Sequence, residues 1–159
     1  MQSNDLLVKL YNLNRDTAFL EALEGKGIRI VRAIAPDMHL VLSFVRENFS
    51  EGWVSECQAA MLRNTCHIAI KDKAVVGFAC CEATAKGFFG PTGVRKDMRG
   101  LGIGKALLIE SLLLLRELGY GYGIIGGSSD ATPFYQKTAG AIIIEDSSPG
   151  IYRAMIHVN

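Results

Sequence analysis

The sequence has no Cys-x-x-Cys pair, no apolar run long enough to cross a membrane, no block of basic residues and no Pro- or Ser-rich linker. Each absence narrows what the chain can be. Its cysteines, Cys57, Cys66, Cys80 and Cys81, lack the spacing of a zinc or dithiol motif, which leaves them as small buried hydrophobes. His39, His67 and His157 are too scattered to form a metal site, so no metal is expected. The longest apolar stretch, residues 106–115, is broken by Glu110 and Ser111; a span needs roughly 20 residues, so no membrane association is expected. Seventeen basic residues balance sixteen acidic ones to a net charge of +1, and without a Lys/Arg cluster nucleic acid is not an expected partner. The start, Met1-Gln2-Ser3-Asn4-Asp5, has neither a basic nor an apolar targeting region, so the expected location is cytoplasmic.

What is present is enough apolar sequence, 49% of 159 residues, for one core without disulfides or metals. A single domain over residues 1–159 is expected. Residues 1–25 read as a helical N-terminal extension, with Leu6, Leu7, Leu10 and Tyr11 as one stripe and Phe19, Leu20 and Leu23 as a second that stops at Gly25. Residues 26–159 form the core. A strand is expected over residues 27–35, a helix carrying Met38, Val41, Leu42, Val45 and Phe49, and a second helix carrying Val54, Cys57 and Met61. Three strands follow over residues 67–71, 74–81 and 87–95, joined by short turns and therefore antiparallel. Residues 101–118 make the strongest helix, apolar nearly all round. The strand over residues 120–125 should return parallel to residues 87–95 through a right-handed crossover. A short helix over residues 130–137 and a final β pair over residues 141–145 and 151–158 complete an α/β chain with a mixed sheet.

The most informative segment is Arg99-Gly100-Leu101-Gly102-Ile103-Gly104-Lys105, which joins a strand to the long helix. The first four N–H groups of a helix have no internal acceptor and sit at the positive end of its dipole, so they bind an anion where side chains leave room. Glycines supply that room, at roughly 0.5–1 kcal/mol each when they lie inside the helix. A Walker loop does not fit, because Arg99 stands at its first Gly position and Ala106 where a hydroxyl is needed. A dinucleotide fingerprint fails as well, with Lys105 or Leu107 in place of the third Gly.

Arg99, Gly102 and Gly104 match the Arg/Gln-x-x-Gly-x-Gly/Ala pattern of the GNAT superfamily of N-acetyltransferases, and Val94 matches the valine that precedes it. The chain resembles a small, bacterial-type, single-domain member over about 130 of its residues. The resemblance implies the GNAT fold, a mostly antiparallel sheet flanked by helices with a central splayed parallel pair. It implies acetyl-CoA as co-substrate, with the pyrophosphate on Arg99, Gly100, Leu101, Gly102, Ile103, Gly104 and Lys105. The pantetheine arm would lie in the splay, against the backbone of Thr92, Gly93 and Val94 and facing residues 121–127.

The segment Phe134-Tyr135-Gln136-Lys137 resembles the family's Phe-Tyr-Glu-Lys, whose Tyr faces the thioester sulfur; this makes Tyr135 the expected general acid, unless Phe134 and Tyr135 simply pack against the sheet. Ser128 stands where the family often has a cofactor-binding Asn. No carboxylate lies on residues 86–89, where some relatives carry the base. Glu82 is the nearest candidate, with Glu51 and Glu56 as alternatives, and water remains open. Phe49, Trp53, Phe88 and Phe89 bracket the segments that form the acceptor pocket in the family. The expected activity is acetyl transfer to a primary amine of a small molecule by direct attack on the thioester. Acetylation of protein lysines or N-termini, a non-catalytic acetyl-CoA sensor and a homodimer all remain open.

Overall fold

Residues 3–157 are described by the computed structural model. In chain order they form β1 (Leu6–Lys9), α1 (Thr17–Gly25), β2 (Arg29–Arg32), α2 (Met38–Asn48), α3 (Glu51–Leu62), β3 (Cys66–Lys71), β4 (Ala74–Cys81), β5 (Phe88–Val94), α4 (Ile103–Glu117), β6 (Tyr122–Ile125), α5 (Thr132–Ala139) and β7 (Ile142–Ile143). The seven strands make one sheet in the order β2-β3-β4-β5-β6-β1-β7. Every neighbouring pair is antiparallel except β5 and β6, as the crossover through α4 requires.

The sheet separates two cores. On one face α4 buries Ile103, Ala106, Leu107, Leu108 and the run from Leu112 to Leu115 against β3, β4 and β5. A helix that is apolar nearly all round needs cover on its other side too, and α1 and α5 supply it with Leu23, Tyr135 and Ala139. On the opposite face α2 and α3 pack Val41, Val45, Val54 and Met61 around Phe78. Local signals place these helices: the Asp16 carboxylate caps α1 by accepting from the Phe19 N–H at 2.9 Å, and the Ser50 hydroxyl caps α3 by accepting from the Trp53 N–H.

Two segments depart from the sequence reading. Residues 6–9 are a strand, and the apparent helical stripe conceals a period of two in which Leu6, Val8 and Leu10 are fully buried. β1 lies between β6 and β7, which satisfy both of its hydrogen-bonding edges; ladders formed with sequence-distant partners override a weak local preference. The expected extension thus contributes an integral strand of the sheet, a 3-10 turn at Leu10–Asn12, and an α-helix only at Thr17–Gly25. The expected final β pair is also replaced. β7 takes β1 as its neighbour, and residues Gly150–Ala154 form a 3-10 helix. The end of that expected strand, Val158, lies outside the described residues.

The four cysteines are buried and free, and the sulfurs of Cys57, Cys66 and Cys80 lie within 4.8 Å of one another beneath α3. Their separation in sequence concealed this gathering, which depends on the pairing of Cys66 with Cys80 across β3 and β4.

Leu6→Ala should lower stability by about 2–5 kcal/mol in a denaturant titration, as for a buried core leucine; a helical extension packed only loosely on the domain would lose less than ~1 kcal/mol. His67 gives a pH prediction. It is buried on β3, and desolvation, with smaller contributions from Arg32 and Arg15, holds its imidazole at about 4 against an ordinary 6.5. Its pKa is lower in the folded chain, so the unfolded chain takes up the proton first as pH falls. Stability should decline between pH 6.5 and about 4, by up to ~3 kcal/mol from this residue. In calorimetry at matched pH values, His67→Leu should show a shallower decline over that window.

Candidate active site

The sheet opens where β5 and β6 part. Their pairing consists of Phe88 with Ile124 and Phe89 with Ile125, and then stops. On β5 the next residues are Gly90 and Pro91, opposite a register shift between Ala79 and Cys81 of β4. Such a bulge bends its strand, and Pro91 has no N–H to offer a neighbour. Thr92, Gly93 and Val94 still pair with Ala79, Phe78 and Gly77 of β4, leaving their other edge beside the gap. On the β6 side the chain turns away at Gly126 and Gly127. The Asp5 carboxylate accepts from the Gly127 N–H at 3.2 Å, and the Ser3 hydroxyl accepts from the Ser129 N–H at 3.0 Å. The strand at the N-terminus thus fixes one wall of the gap.

A cavity of 660 Å³ fills the opening. Phe89 and Tyr135 reach it from the core on the α4 face, while Trp53 and Glu56 reach it from α3 on the other. The gap therefore connects the two faces of the sheet. Tyr135 is 8% exposed, edge-on to Phe89 at 6.1 Å between ring centroids, and burial raises its phenol above the ordinary 10.0. Glu56 is half-buried and accepts a hydrogen bond from the Thr84 hydroxyl. A second phenol, Tyr152, enters from the Gly150–Ala154 helix. A Cβ on Gly126 would stand 2.1 Å from the Tyr152 hydroxyl oxygen, so only glycine lets that ring rest on the end of β6. Burial, together with the Asp5 and Glu56 carboxylates, pushes the Tyr152 phenol up to about 12. The Ser148 hydroxyl, also in the lining, is buried and has no hydrogen-bond partner.

At the far end of β5 lies the glycine turn. The first hydrogen bond of α4 runs from the Ala106 N–H to the Gly102 carbonyl at 3.1 Å, so the amides of Ile103, Gly104 and Lys105 have no acceptor within the helix. Gly102, the N-cap, has φ of 90° and no side-chain cap. Around a Cβ built on Gly100 nothing lies within 4 Å, and around one on Gly104 only Val94 Cγ2, at 3.9 Å. Arg99 donates from Nε to the Val94 carbonyl at 3.1 Å and so ties the turn to β5. Leu101 is exposed and Ile103 buried beneath the turn. Phe19 of α1 covers Gly102, its Cζ standing 2.5 Å from where a Cβ would be, and Lys105 Nζ lies 4.5 Å from the centre of that ring.

The structure thus brings Tyr135, Thr92, Ser128, Trp53 and Phe89 to one cavity. Others go elsewhere. Glu82 is withdrawn: its carboxylate accepts from the Gly87 N–H at 2.5 Å and from the Tyr120 hydroxyl at 3.2 Å, which holds the β4–β5 loop. Phe49 lies over Gly93, where a Cβ would stand 2.3 Å from its ring, and belongs to the aromatic packing around Phe78. Phe88 packs beside Gly126 outside the cavity lining, and Glu51 pairs with Arg46 at 2.9 Å on the surface. Sequence reasoning missed Tyr152, Ser148 and Thr84. The signal available for the gap was Gly126-Gly127 directly after an apolar strand.

Residues 63–138 match the family model described as the acetyltransferase (GNAT) domain. This span runs from β3 through the glycine turn to Tyr135. Just under half of the chain thus matches a GNAT acetyltransferase domain. Among solved structures, a GCN5-related glucosamine N-acetyltransferase region of a fungal multi-domain protein superposes with TM-score 0.71 at 15% identity, covering 89% of this chain and 19% of that one. A GCN5-related N-acetyltransferase from Sphaerobacter thermophilus gives 0.68 at 23% identity over 91% of this chain and 50% of that one. An acetyltransferase from Colwellia psychrerythraea gives 0.60 at 18%, over 88% and 52%. The chain therefore spans about half or less of the length of these structures, and at such identities the likeness is one of fold. No curated protein matches the sequence. Within the described residues, no helix is long and apolar enough to cross a membrane.

Glu82→Ala should destabilise the chain by about 1–2 kcal/mol through two lost hydrogen bonds. The midpoint of a urea titration measures that loss, and limited proteolysis should show faster cutting in residues 82–87.

Proposed function

We propose that this domain transfers an acetyl group from acetyl-CoA to a primary amine of a small molecule. The observation that carries the reading is the two-sided gap, with a buried phenol on one face and a carboxylate on the other. The glycine turn fits the pyrophosphate of the co-substrate, since three unpaired amides, a helix N-terminus and open space at Gly100 and Gly104 stand together. The free edge of Thr92, Gly93 and Val94 leads from that turn to the cavity and fits an extended amide-bearing arm, with Ser128 on the opposite wall. When bound, acetyl-CoA supplies an electrophilic carbonyl and a thiolate leaving group.

The protein's part is positioning and two proton transfers. Glu56, reaching in from α3, accepts the proton that an acceptor ammonium must lose before its nitrogen can attack; the Thr84 hydroxyl orients the carboxylate. Tyr135 donates its proton to the sulfur as the C–S bond breaks; the newly acylated nitrogen releases its excess proton to water, and the phenolate regains one from water. The raised pKa of Tyr135 keeps its proton in place at neutral pH. Direct transfer needs both substrates at once, and an opening to both faces of the sheet permits that.

Binding and chemistry are tested separately. Gly102 is a poor place to probe the phosphate turn, because any side chain there meets Phe19 and a φ of 90°. Gly104 has ordinary helical backbone and open space. Gly104→Asp sets a carboxylate at the anion site, so in calorimetry acetyl-CoA affinity should fall at least ~10-fold with the fold intact; undiminished binding would move the cofactor elsewhere. In Tyr135→Phe, acetyl-CoA binding should persist while kcat, followed by CoA-thiol release, falls by ~10²–10⁴-fold. A phenol that merely packs predicts an unchanged rate, since Phe nearly fills its volume. Binding without thiol release for any amine in the parent protein would establish a sensor instead.

A further inference from the structure

Among the described residues the cavity wall contains no Lys or Arg. Its carboxylates are Glu56 on the α3 side and Asp130, exposed at the start of the segment leading into α5, and the exposed imidazole of His157 lies at the rim. Lys86 and Arg153, close in sequence to Thr84 and Tyr152, are exposed and lie outside the lining. From this charge pattern we propose that the acceptor is a small aliphatic amine that carries a second ammonium or hydroxyl group and no carboxylate or phosphate. The proposal rests on the acetyl-transfer reading above and adds the class of acceptor to it.

An anionic group on the acceptor would meet the Glu56 and Asp130 carboxylates, with no Lys or Arg among the described lining residues to pair with it. Half-buried Glu56 is screened less than the exposed Asp130, so its repulsion is the larger one, and it acts against binding and turnover alike. A second donor on the acceptor has partners ready. The Ser148 hydroxyl is buried without one, and a buried polar group of that kind calls for a ligand or water. The Tyr152 hydroxyl at the end of β6 can accept from it, and its phenol stays protonated over the working pH range. Trp53 offers a flat aromatic face to a methylene chain or an ammonium. Size is limited as well, because 660 Å³ must hold the thioester arm beside the acceptor.

The test uses amines that differ by one carboxylate. CoA-thiol release is measured with 1,5-diaminopentane against lysine, and with 2-aminoethanol against serine. Within each pair the compound without the carboxylate should have the higher kcat/KM, by ~10–100-fold, as expected where a wrong substrate leaves a charge unpaired. Met155→Arg places a cation on an exposed part of the cavity wall where packing is not at stake; the ratio should narrow at least ~5-fold. Equal or better use of lysine and serine overturns this inference and leaves acetyl transfer standing. An unchanged ratio in Met155→Arg overturns charge as the basis of selection. Turnover of no amine, with acetyl-CoA bound in calorimetry, overturns the acetyl-transfer reading and this inference together.

Discussion

Two residue pairs, Phe88 with Ile124 and Phe89 with Ile125, join the two halves of the sheet, and the parting of the strands just beyond them determines what the protein can do. On one side lie β2 to β5, on the other β6, β1 and β7. A continuous ladder at this point would satisfy more backbone hydrogen bonds and leave no cavity. The bulge at Gly90 and Pro91 gives up that regularity. The cost is offset by the long helix α4, whose apolar face spans β3, β4 and β5 and whose start carries the glycine turn. Stability and function thus divide along the length of one crossover.

The gap is held open by contacts that come from far away in sequence. Asp5 and Ser3 secure Gly127 and Ser129 on one wall, and α3 holds Glu56 and Trp53 against the other. A turn of this kind, with glycines and few apolar contacts of its own, would otherwise sample many conformations. Anchoring it through a buried strand, β1, gives the cavity a fixed shape before any ligand arrives, which is the condition for proton transfer over short distances. The burial of Asp5 has a cost, since desolvation raises its pKa, and the Gly127 N–H only partly offsets the shift.

Glycine serves different ends at different places. At Gly126 it admits the Tyr152 phenol, at Gly93 it admits the Phe49 ring, and at Gly102 it meets both a positive φ and the ring of Phe19. Of the three glycines in the turn, Gly100 and Gly104 leave their space open, with Val94 Cγ2 at van der Waals distance from the second. In sequence these glycines look alike. Their neighbours distinguish a packing glycine from one that leaves open space.

The sequence by itself determined the elements whose signals are local: α2, α3, α4 and α5, the antiparallel run from β3 to β5, the parallel return of β6, and the glycine turn with Tyr135 beyond it. Amphipathic spacing, caps and a motif of seven residues lie within reach of a short window, so they can be read without a fold. The tertiary structure alone decided the rest. Leu6, Leu7 and Leu10 fit a helix as well as a strand until two partners more than a hundred residues away take up both edges of β1. Glu82 was the nearest candidate in sequence, with Glu51 and Glu56 as alternatives, but a loop holds the first, Arg46 pairs with the second, and the third lines the gap. Tyr152 reached the site because β1 occupies the place beside β7 that a final strand was expected to fill. Each of these outcomes depends on which distant groups compete for the same hydrogen bonds and the same space, and no local window contains that competition.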